Sequence, residues 1–302
     1  MNIKSMRVIP LGHPVPGPPE SNRCFALVRV ETDAGVIGYG EASTSYGHHY
    51  PTVVKTIVDD ILAPALIGKD ALDVRLRTKD MQRYLFPFLG TDGISSQVIA
   101  AVEIALWDIL GKALDKPIHA LLGGKTVDAL PLYWSGPTVA PGEAAFERVF
   151  DDALEFGFDG VKTRIGFREG VESDMEQIEV VRDHIGPNMK LMVDAYWRYG
   201  VESAIRLAKF MGDLDVFWFE EPIPQAWLKG LAKLREESPV PIAGGERAFS
   251  ARGFQQLADY GAADYWQPDA TVAGGILECL EIAAVAKTVD VRVFPHTGGL
   301  TA

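Results

Sequence analysis

Short apolar runs recur at a nearly constant interval along the second part of the chain. They begin near Leu130, Val161, Lys190, Val216, Pro241, Asp264 and Val291, and from the second run onward they lie 29, 26, 25, 23 and 27 residues apart. Segments with helical periodicity fill the intervals, for example 144–156, 172–185, 201–211 and 275–288. Strands and helices that alternate at this period are typical of parallel β/α units. The pattern predicts seven strands of a β/α barrel, one fewer than a closed barrel has.

The end of the chain agrees with a missing strand. The sequence stops at residues 296–302, where another helix should begin. A barrel with a gap would expose two unpaired strand edges and part of its core. We therefore expect the 302 residues to be a truncated form of a longer protein.

The first part of the chain shows strands followed by helices. Strands are predicted at 6–10, 24–32 and 36–41, and helices at 51–63, 71–84 and 95–114, with Ser95 and Ser96 as N-caps of the last helix. Two irregular stretches, 13–22 and 43–51, interrupt these elements, and the first is rich in proline. The organisation predicted is an α+β domain at 1–124 followed by an incomplete barrel domain at 125–302.

Composition restricts the class of partner. The net charge is −12, from 29 basic and 41 acidic residues, which argues against binding to nucleic acid. The N-terminus lacks a signal peptide, and Glu103 and Asp108 interrupt the most apolar run, so no membrane span is expected. Cys24 and Cys279 show no metal-binding spacing. These features favour a cytoplasmic enzyme with a small-molecule substrate.

Three acidic residues occupy the same position in successive units. Asp194, Glu220 and Glu246 lie 26 residues apart, and each closes a short apolar run. The carboxyl ends of parallel strands meet at one mouth of a barrel, where such folds carry their chemistry. Converging carboxylates repel one another unless a positive charge lies between them. A hard divalent cation meets that demand, and we expect Mg²⁺. The alternative is that three unrelated acids happen to end three strands.

Four more polar residues end the remaining strands. Lys162 and Arg164 occupy alternate positions of one strand, so both should point toward the carboxylates. They could act on substrate or simply neutralise neighbouring acids. Asp269 and His296 lie one β/α unit apart, so Asp269 could hydrogen-bond the imidazole and raise its basicity. This predicts His296 as an acid–base catalyst.

These residues together resemble one family. The ordered set, with the motifs GVIGYGE at 35–41 and VEIALWD at 102–108, is similar to the mandelate racemase branch of the enolase superfamily. The resemblance implies an N-terminal capping domain over a (β/α)₇β barrel, with 13–22 and 43–51 as capping loops. It also implies Mg²⁺ on Asp194, Glu220 and Glu246, abstraction of a proton α to a substrate carboxylate, and assembly as a homo-oligomer.

Two positions depart from the common family pattern. Arg164 stands where the family usually has a second lysine that acts as a base, and arginine stays protonated in proteins. Tyr196 stands where related enzymes often carry Asn, so we expect the polar contacts of the pocket to differ from theirs. The first departure favours a one-base reaction, in which His296 takes the α-proton and a sugar acid is dehydrated to a 2-keto-3-deoxy acid. A racemase or epimerase on the same scaffold and a noncatalytic metal-binding barrel protein are the alternatives.

Overall fold

The chain forms two compact units. The computed structural model describes residues 1–13, 23–43, 50–136 and 146–297. Unit 1 contains Met1–Thr126, Glu246–Phe254 and Pro268–Ala302, and unit 2 contains Val127–Gly245 and Gln255–Gln267. Both irregular stretches predicted as capping loops lie mostly outside the described residues.

Unit 1 contains a three-stranded antiparallel sheet. Its strands are β1 (Ile3–His13), β2 (Arg23–Thr32) and β3 (Ile37–Glu41), in the order β1-β2-β3. The three strands predicted from the apolar runs are confirmed, and β1 extends beyond its predicted range at both ends. One face of the sheet packs into a hydrophobic core, because Val28 and Val30 alternate along β2 and are fully buried.

Helices cover that core. They are α1 (Pro51–Ile57), α2 (Ala63–Leu66), α3 (Val74–Leu89), α4 (Ile94–Leu114) and α5 (Ile118–Leu121), with a π-helix at Val58–Leu62 between α1 and α2. The predicted N-caps of α4 are wrong. Gly93 is the N-cap residue, and Ser95 and Ser96 are buried inside the helix because its first turn packs against the core.

Helix α4 is the central helix of unit 1. By length and composition alone it could cross a membrane, but 83% of its apolar window is buried inside the protein, as expected for a core helix. Strand β3 lies so close to α4 that side chains are excluded between them. A Cβ atom at Gly38 would lie 2.0 Å from the carbonyl oxygen of Ala105, and one at Gly40 would lie 2.0 Å from that of Ala101. The GVIGYGE motif therefore belongs to a sheet strand that requires glycine.

The second sheet has seven strands within the described residues. They are β4 (Trp134–Ser135), β5 (Gly160–Arg164), β6 (Lys190–Asp194), β7 (Val216–Glu220), β8 (Ile242–Gly244), β9 (Tyr265–Trp266) and β10 (Arg292–Val293), in the order β10-β9-β8-β7-β6-β5-β4. The pairs from β4 to β9 are parallel. All seven predicted strands are present, although the run near Leu130 pairs only from Trp134 onward.

Helices connect these strands as the repeat predicts. They are α6 (Phe146–Glu155), α7 (Val171–Ile185), α8 (Val201–Asp213), α9 (Leu228–Glu237), α10 (Ser250–Tyr260), α11 (Ala270–Ala273) and α12 (Ile276–Thr288). Arg164, Asp194 and Glu220 are the last residues of β5, β6 and β7. Arg164 pairs in register with Asp194, and Asp194 with Glu220. Their side chains therefore emerge side by side at one edge of the sheet.

Candidate active site

Four charged side chains of unit 2 form one cluster at the strand ends. Lys162 Nζ makes an ion pair with Glu220 Oε1 and lies 3.9 Å from Asp194 Oδ2. Arg164 Nε lies 3.6 Å from the same Asp194 oxygen. The prediction that both cations point toward the carboxylates is confirmed. Lys162, Asp194 and Glu220 are almost completely buried, whereas Arg164 is one-third exposed.

Further donors hold the two carboxylates in place. Glu220 Oε2 accepts hydrogen bonds from Trp218 Nε1 at 2.8 Å and from Gln267 Nε2 at 2.7 Å. Asp194 Oδ1 accepts one from the backbone N–H of Tyr196 at 3.0 Å. Each carboxylate thus keeps a fixed orientation, which a preorganised binding site for charge needs.

The charges of this cluster are strongly coupled. Burial alone would lower the pKa of Lys162, but the neighbouring Glu220 and Asp194 raise it above its ordinary value, so the ammonium is retained. Burial and the charge of Glu220 raise the pKa of Asp194, against the opposing effect of Lys162 and Arg164. The two buried carboxylates therefore still favour additional positive charge nearby.

Glu221 was not singled out as a site residue from the sequence. Its Oε1 accepts a hydrogen bond from Gly245 N at 2.7 Å, and its Oε2 accepts one from Trp197 Nε1 at 2.8 Å. Burial raises the pKa of Glu221 to about 7. This side chain ties the loop after β6 to the loop after β8. Two consecutive glutamates at a strand end were a signal for it, because alternate residues of a strand point to opposite sides.

Unit 1 holds a second group of predicted site residues. His296 Nδ1 lies 2.8 Å from Asp269 Oδ2, and His296 Nε2 lies 3.2 Å from Glu246 Oε2. The predicted hydrogen bond between Asp269 and His296 is present, whereas the contact with Glu246 was not expected. Asp269 is fully buried, and its Oδ1 accepts from both the N–H and the hydroxyl of Thr271. A carboxylate only accepts hydrogen bonds, so Asp269 orients the imidazole through an N–H at Nδ1, while the carboxylate of Glu246 lies on the Nε2 side of the ring.

The metal ligands remain a prediction. Across the described ranges, no three or more Asp, Glu, His or Cys side chains are grouped so that they could hold a metal ion. The ammonium of Lys162 neutralises one oxygen of Glu220. The chemistry of the donors nevertheless fits a hard cation, since Asp194 and Glu220 offer buried carboxylate oxygens from neighbouring strand ends.

Two family models cover most of the chain. The model of the mandelate racemase / muconate lactonizing enzyme N-terminal domain matches residues 19–123, and the enolase C-terminal domain-like model matches residues 145–302. The chain belongs to the mandelate racemase/muconate lactonizing enzyme branch of the enolase superfamily. The resemblance stated from the sequence is therefore confirmed.

Individual relatives are similar over nearly the whole chain. D-galactarolactone cycloisomerase of Agrobacterium fabrum is 34% identical over 314 aligned residues, which cover 99% of this chain and 79% of that protein. Arabinonate dehydratase of Saccharolobus solfataricus is 34% identical over 282 residues, which cover 92% and 74%. A crystal structure of a racemase from Streptomyces coelicolor A3(2) with bound magnesium is also similar, with a TM-score of 0.89 and 29% sequence identity. The match covers 98% of this chain and 83% of the racemase chain. The predicted fold class, a TIM-like barrel with an N-terminal α+β domain, is thereby confirmed.

Proposed function

We propose that this enolase-superfamily member is a Mg²⁺-dependent hydro-lyase that dehydrates a sugar acid to a 2-keto-3-deoxy acid. The observation that carries the proposal is the Asp269–His296 hydrogen bond, which fixes the orientation of the imidazole. Relatives named arabinonate dehydratase, D-xylonate dehydratase and D-galactonate dehydratase, at 31–34% identity, support the same reaction class.

The chemistry of the chain's own residues agrees with α-proton abstraction. A carbon acid beside a carboxylate is weak because its deprotonation adds negative charge to the carboxylate oxygens. When bound, Mg²⁺ would supply positive charge to those oxygens where that charge develops. Asp194 and Glu220 would hold the ion, with Glu246 as the third ligand that the family resemblance implies. Lys162, buried and charged, adds a second fixed positive charge.

His296 would perform both proton transfers. Asp269 orients the ring through Nδ1, and Nε2, on the side of Glu246, would take the α-proton and then give it to the departing β-hydroxyl. The bond between the α-carbon and hydrogen and the bond between the β-carbon and its hydroxyl oxygen break, a double bond forms between the two carbons, and water leaves. The resulting enol becomes the 2-keto acid. Arg164 contacts Asp194 and remains a cation, so it would orient substrate rather than accept a proton from the opposite face.

A cycloisomerase is the second candidate. It is favoured by the 34% identity to D-galactarolactone cycloisomerase over 99% of this chain. The two reactions can share proton abstraction by His296 and differ in the group that leaves the β-carbon. A racemase or epimerase is less favoured, because racemisation needs an acid or base on both faces of the substrate and Arg164 is a poor one.

Product analysis in D₂O separates these reactions. Protein with Mg²⁺ is incubated with a panel of sugar acids and their lactones, and ¹H NMR follows the α-hydrogen and the products. We expect loss of the α-hydrogen together with a 2-keto-3-deoxy acid. Opening of a lactone without loss of water would establish a cycloisomerase. Exchange with inverted configuration and no keto acid would establish an epimerase. Metal binding without any turnover would favour a noncatalytic protein.

A further inference from the structure

A buried carboxylate outside the candidate site joins helix α4 to the start of helix α12. Glu103 lies in the middle of α4 and is fully buried. Its Oε1 accepts hydrogen bonds from Leu277 N at 2.9 Å and from Trp107 Nε1 at 2.8 Å, and its Oε2 accepts one from Ile276 N at 2.9 Å. The first N–H groups of a helix have no partners inside it, and the N-cap residue of α12 is Gly275, which has no side chain. Glu103 therefore caps α12 from a distant part of the chain.

The turn before α12 is shaped around this carboxylate. Gly274 and Gly275 have φ angles of 126° and 107°, a region that side-chain-bearing residues rarely adopt. A Cβ atom at Gly275 would lie 2.4 Å from Glu103 Oε2. Any residue other than glycine at position 275 would thus strain the backbone and displace the carboxylate. The two glycines therefore allow the close contact between the turn and the carboxylate of Glu103.

The same turn is continuous with the Asp269–His296 pair. Helix α11 has only four residues, and Asp269 is its N-cap. The backbone oxygen of Asp269 accepts from Ala273 N at 2.7 Å, and Gly275 N donates to Ala270 O at 3.0 Å. A short hydrogen-bonded segment therefore runs from Asp269, which holds the imidazole, to the two N–H groups held by Glu103. A shift of the turn would move Asp269 relative to His296.

Glu103 is costly for folding. Burial raises the pKa of Glu103 to about 7, against the opposing effect of its three hydrogen bonds. An apolar side chain at the same place would avoid this penalty. The presence of a carboxylate at this buried position is therefore best explained by the hydrogen bonds that hold the start of helix α12.

We propose that Glu103 is a positioning residue for proton abstraction, because it fixes the turn at 274–277 and through it the carboxylate of Asp269 that orients His296. The kinetic part of this proposal rests on the proposed function, whereas its structural part does not. The variants that test it are Glu103→Gln and, as a matched control on the same helix, Asp108→Asn. Asp108 Oδ2 accepts from Tyr39 N at 3.0 Å and is paired with Lys112, so it joins α4 to β3 instead of α12.

The structural readout is the ring N–H of His296. In protein labelled with ¹⁵N-histidine, its signal is assigned by its loss in His296→Asn, and Asp269→Asn gives the reference for a broken hydrogen bond. We expect Glu103→Gln to increase the solvent exchange of this N–H at least threefold, and Asp108→Asn to leave it unchanged. Unchanged exchange in Glu103→Gln, or an equal increase in both variants, would overturn the proposal whatever the enzyme does.

The kinetic readout is a double-mutant cycle on α-hydrogen exchange. We expect Glu103→Gln to lower kcat roughly 10- to 100-fold, with KM within about twofold, because the catalytic group is misplaced while substrate binding is kept. The variant with both Glu103→Gln and Asp269→Asn should be no slower than Asp269→Asn alone, within about twofold. Additive losses would show that Glu103 acts only on general stability and would overturn the positioning role. If the unmodified protein exchanges no sugar acid, the proposed function fails, and the N–H measurement alone judges Glu103.

Discussion

Three of the predicted site residues show how neighbouring groups set the charge and orientation of a side chain. Lys162 remains an ammonium in a buried setting because Glu220 and Asp194 raise its pKa. Arg164 contacts the same Asp194 oxygen from a more exposed position. In unit 1, the imidazole of His296 has each ring nitrogen near a carboxylate, that of Asp269 at 2.8 Å and that of Glu246 at 3.2 Å. In each unit, the partners of a side chain therefore fix its orientation.

Replacement of His296 tests that assignment. We expect His296→Asn to slow α-hydrogen exchange by about 10²- to 10⁴-fold, since a positioned base is removed while the carboxylates remain. The measurement is the rate of deuterium incorporation from D₂O. His184→Asn is the matched control, because His184 Nε2 also lies 2.8 Å from a carboxylate, that of Asp151, but on helix α7. Equal losses in the two variants would contradict a catalytic role for His296.

Pairs of elements impose requirements that single residues do not show. Strand β3 and helix α4 approach so closely that glycine is needed where they meet. Helices α4 and α12 are joined by a charged side chain although both are rich in apolar residues. In each case, the requirement comes from a contact with α4 that is distant in the sequence.

The contact between β3 and α4 predicts a large effect of one methyl group. We expect Gly40→Ala to destabilise the protein by about 3 kcal/mol or more, because the clash is with backbone atoms that cannot move away. Gly12→Ala is the control in the same sheet, since no atom lies within 4 Å of its added Cβ, and a change within about 0.5 kcal/mol is expected. Thermal unfolding measures both. Similar unfolding temperatures for the two variants would refute the close approach of β3 and α4.

The cap on α12 predicts a specific dependence of stability on pH. The pKa of Glu103 is about 7 in the folded protein, above its ordinary value of 4.5, so between these values the folded state binds more protons than the unfolded state. The stability contributed by this group is therefore fully present below pH 4.5 and is lost as the pH rises from 4.5 through 7, by about 3 kcal/mol. Glu103→Gln removes this dependence. The measurement is the difference in unfolding temperature between the unmodified protein and Glu103→Gln at each pH. We expect the unmodified protein to lose stability relative to the variant as the pH is raised from 5 to 8. A difference that stays constant over this range would contradict the shifted pKa.

For the whole molecule, the distribution of buried charge predicts a response to metal. Burial and the charge of Glu220 raise the pKa of Asp194, so a dication beside these carboxylates should stabilise the fold. At Mg²⁺ concentrations a hundredfold above its dissociation constant, we expect about 2.7 kcal/mol of stabilisation, seen as a higher unfolding temperature that a chelator reverses.

Two variants locate this metal effect. Asp194→Asn should abolish the stabilisation by Mg²⁺. Asp174→Asn should keep it, because Asp174 is also buried in unit 2 but accepts hydrogen bonds from Gly166 N and Tyr199. Retention of the Mg²⁺ effect in Asp194→Asn would place the metal elsewhere.

The regular spacing of apolar runs in the sequence predicts much of the fold and several residues of the candidate site. A constant interval predicts parallel β/α units and places Arg164, Asp194 and Glu220 at strand ends, because a parallel register brings equivalent positions together. The Asp269–His296 pair followed from the same argument. Helix caps were predicted less well, since Ser95 and Ser96 look like caps locally and are buried by tertiary packing.

Only the tertiary structure decided which charges meet. Glu220 pairs with Lys162, Glu246 reaches His296, and Glu103 caps a helix 173 residues further along the chain. Such contacts depend on the angles at which elements pack and on side-chain length, which residue spacing does not encode. The sequence by itself determined the order of the strands and the type of chemical group at each strand end. The folded chain decided the partner, and hence the charge state, of each group, because burial and distance set the strength of electrostatic interactions.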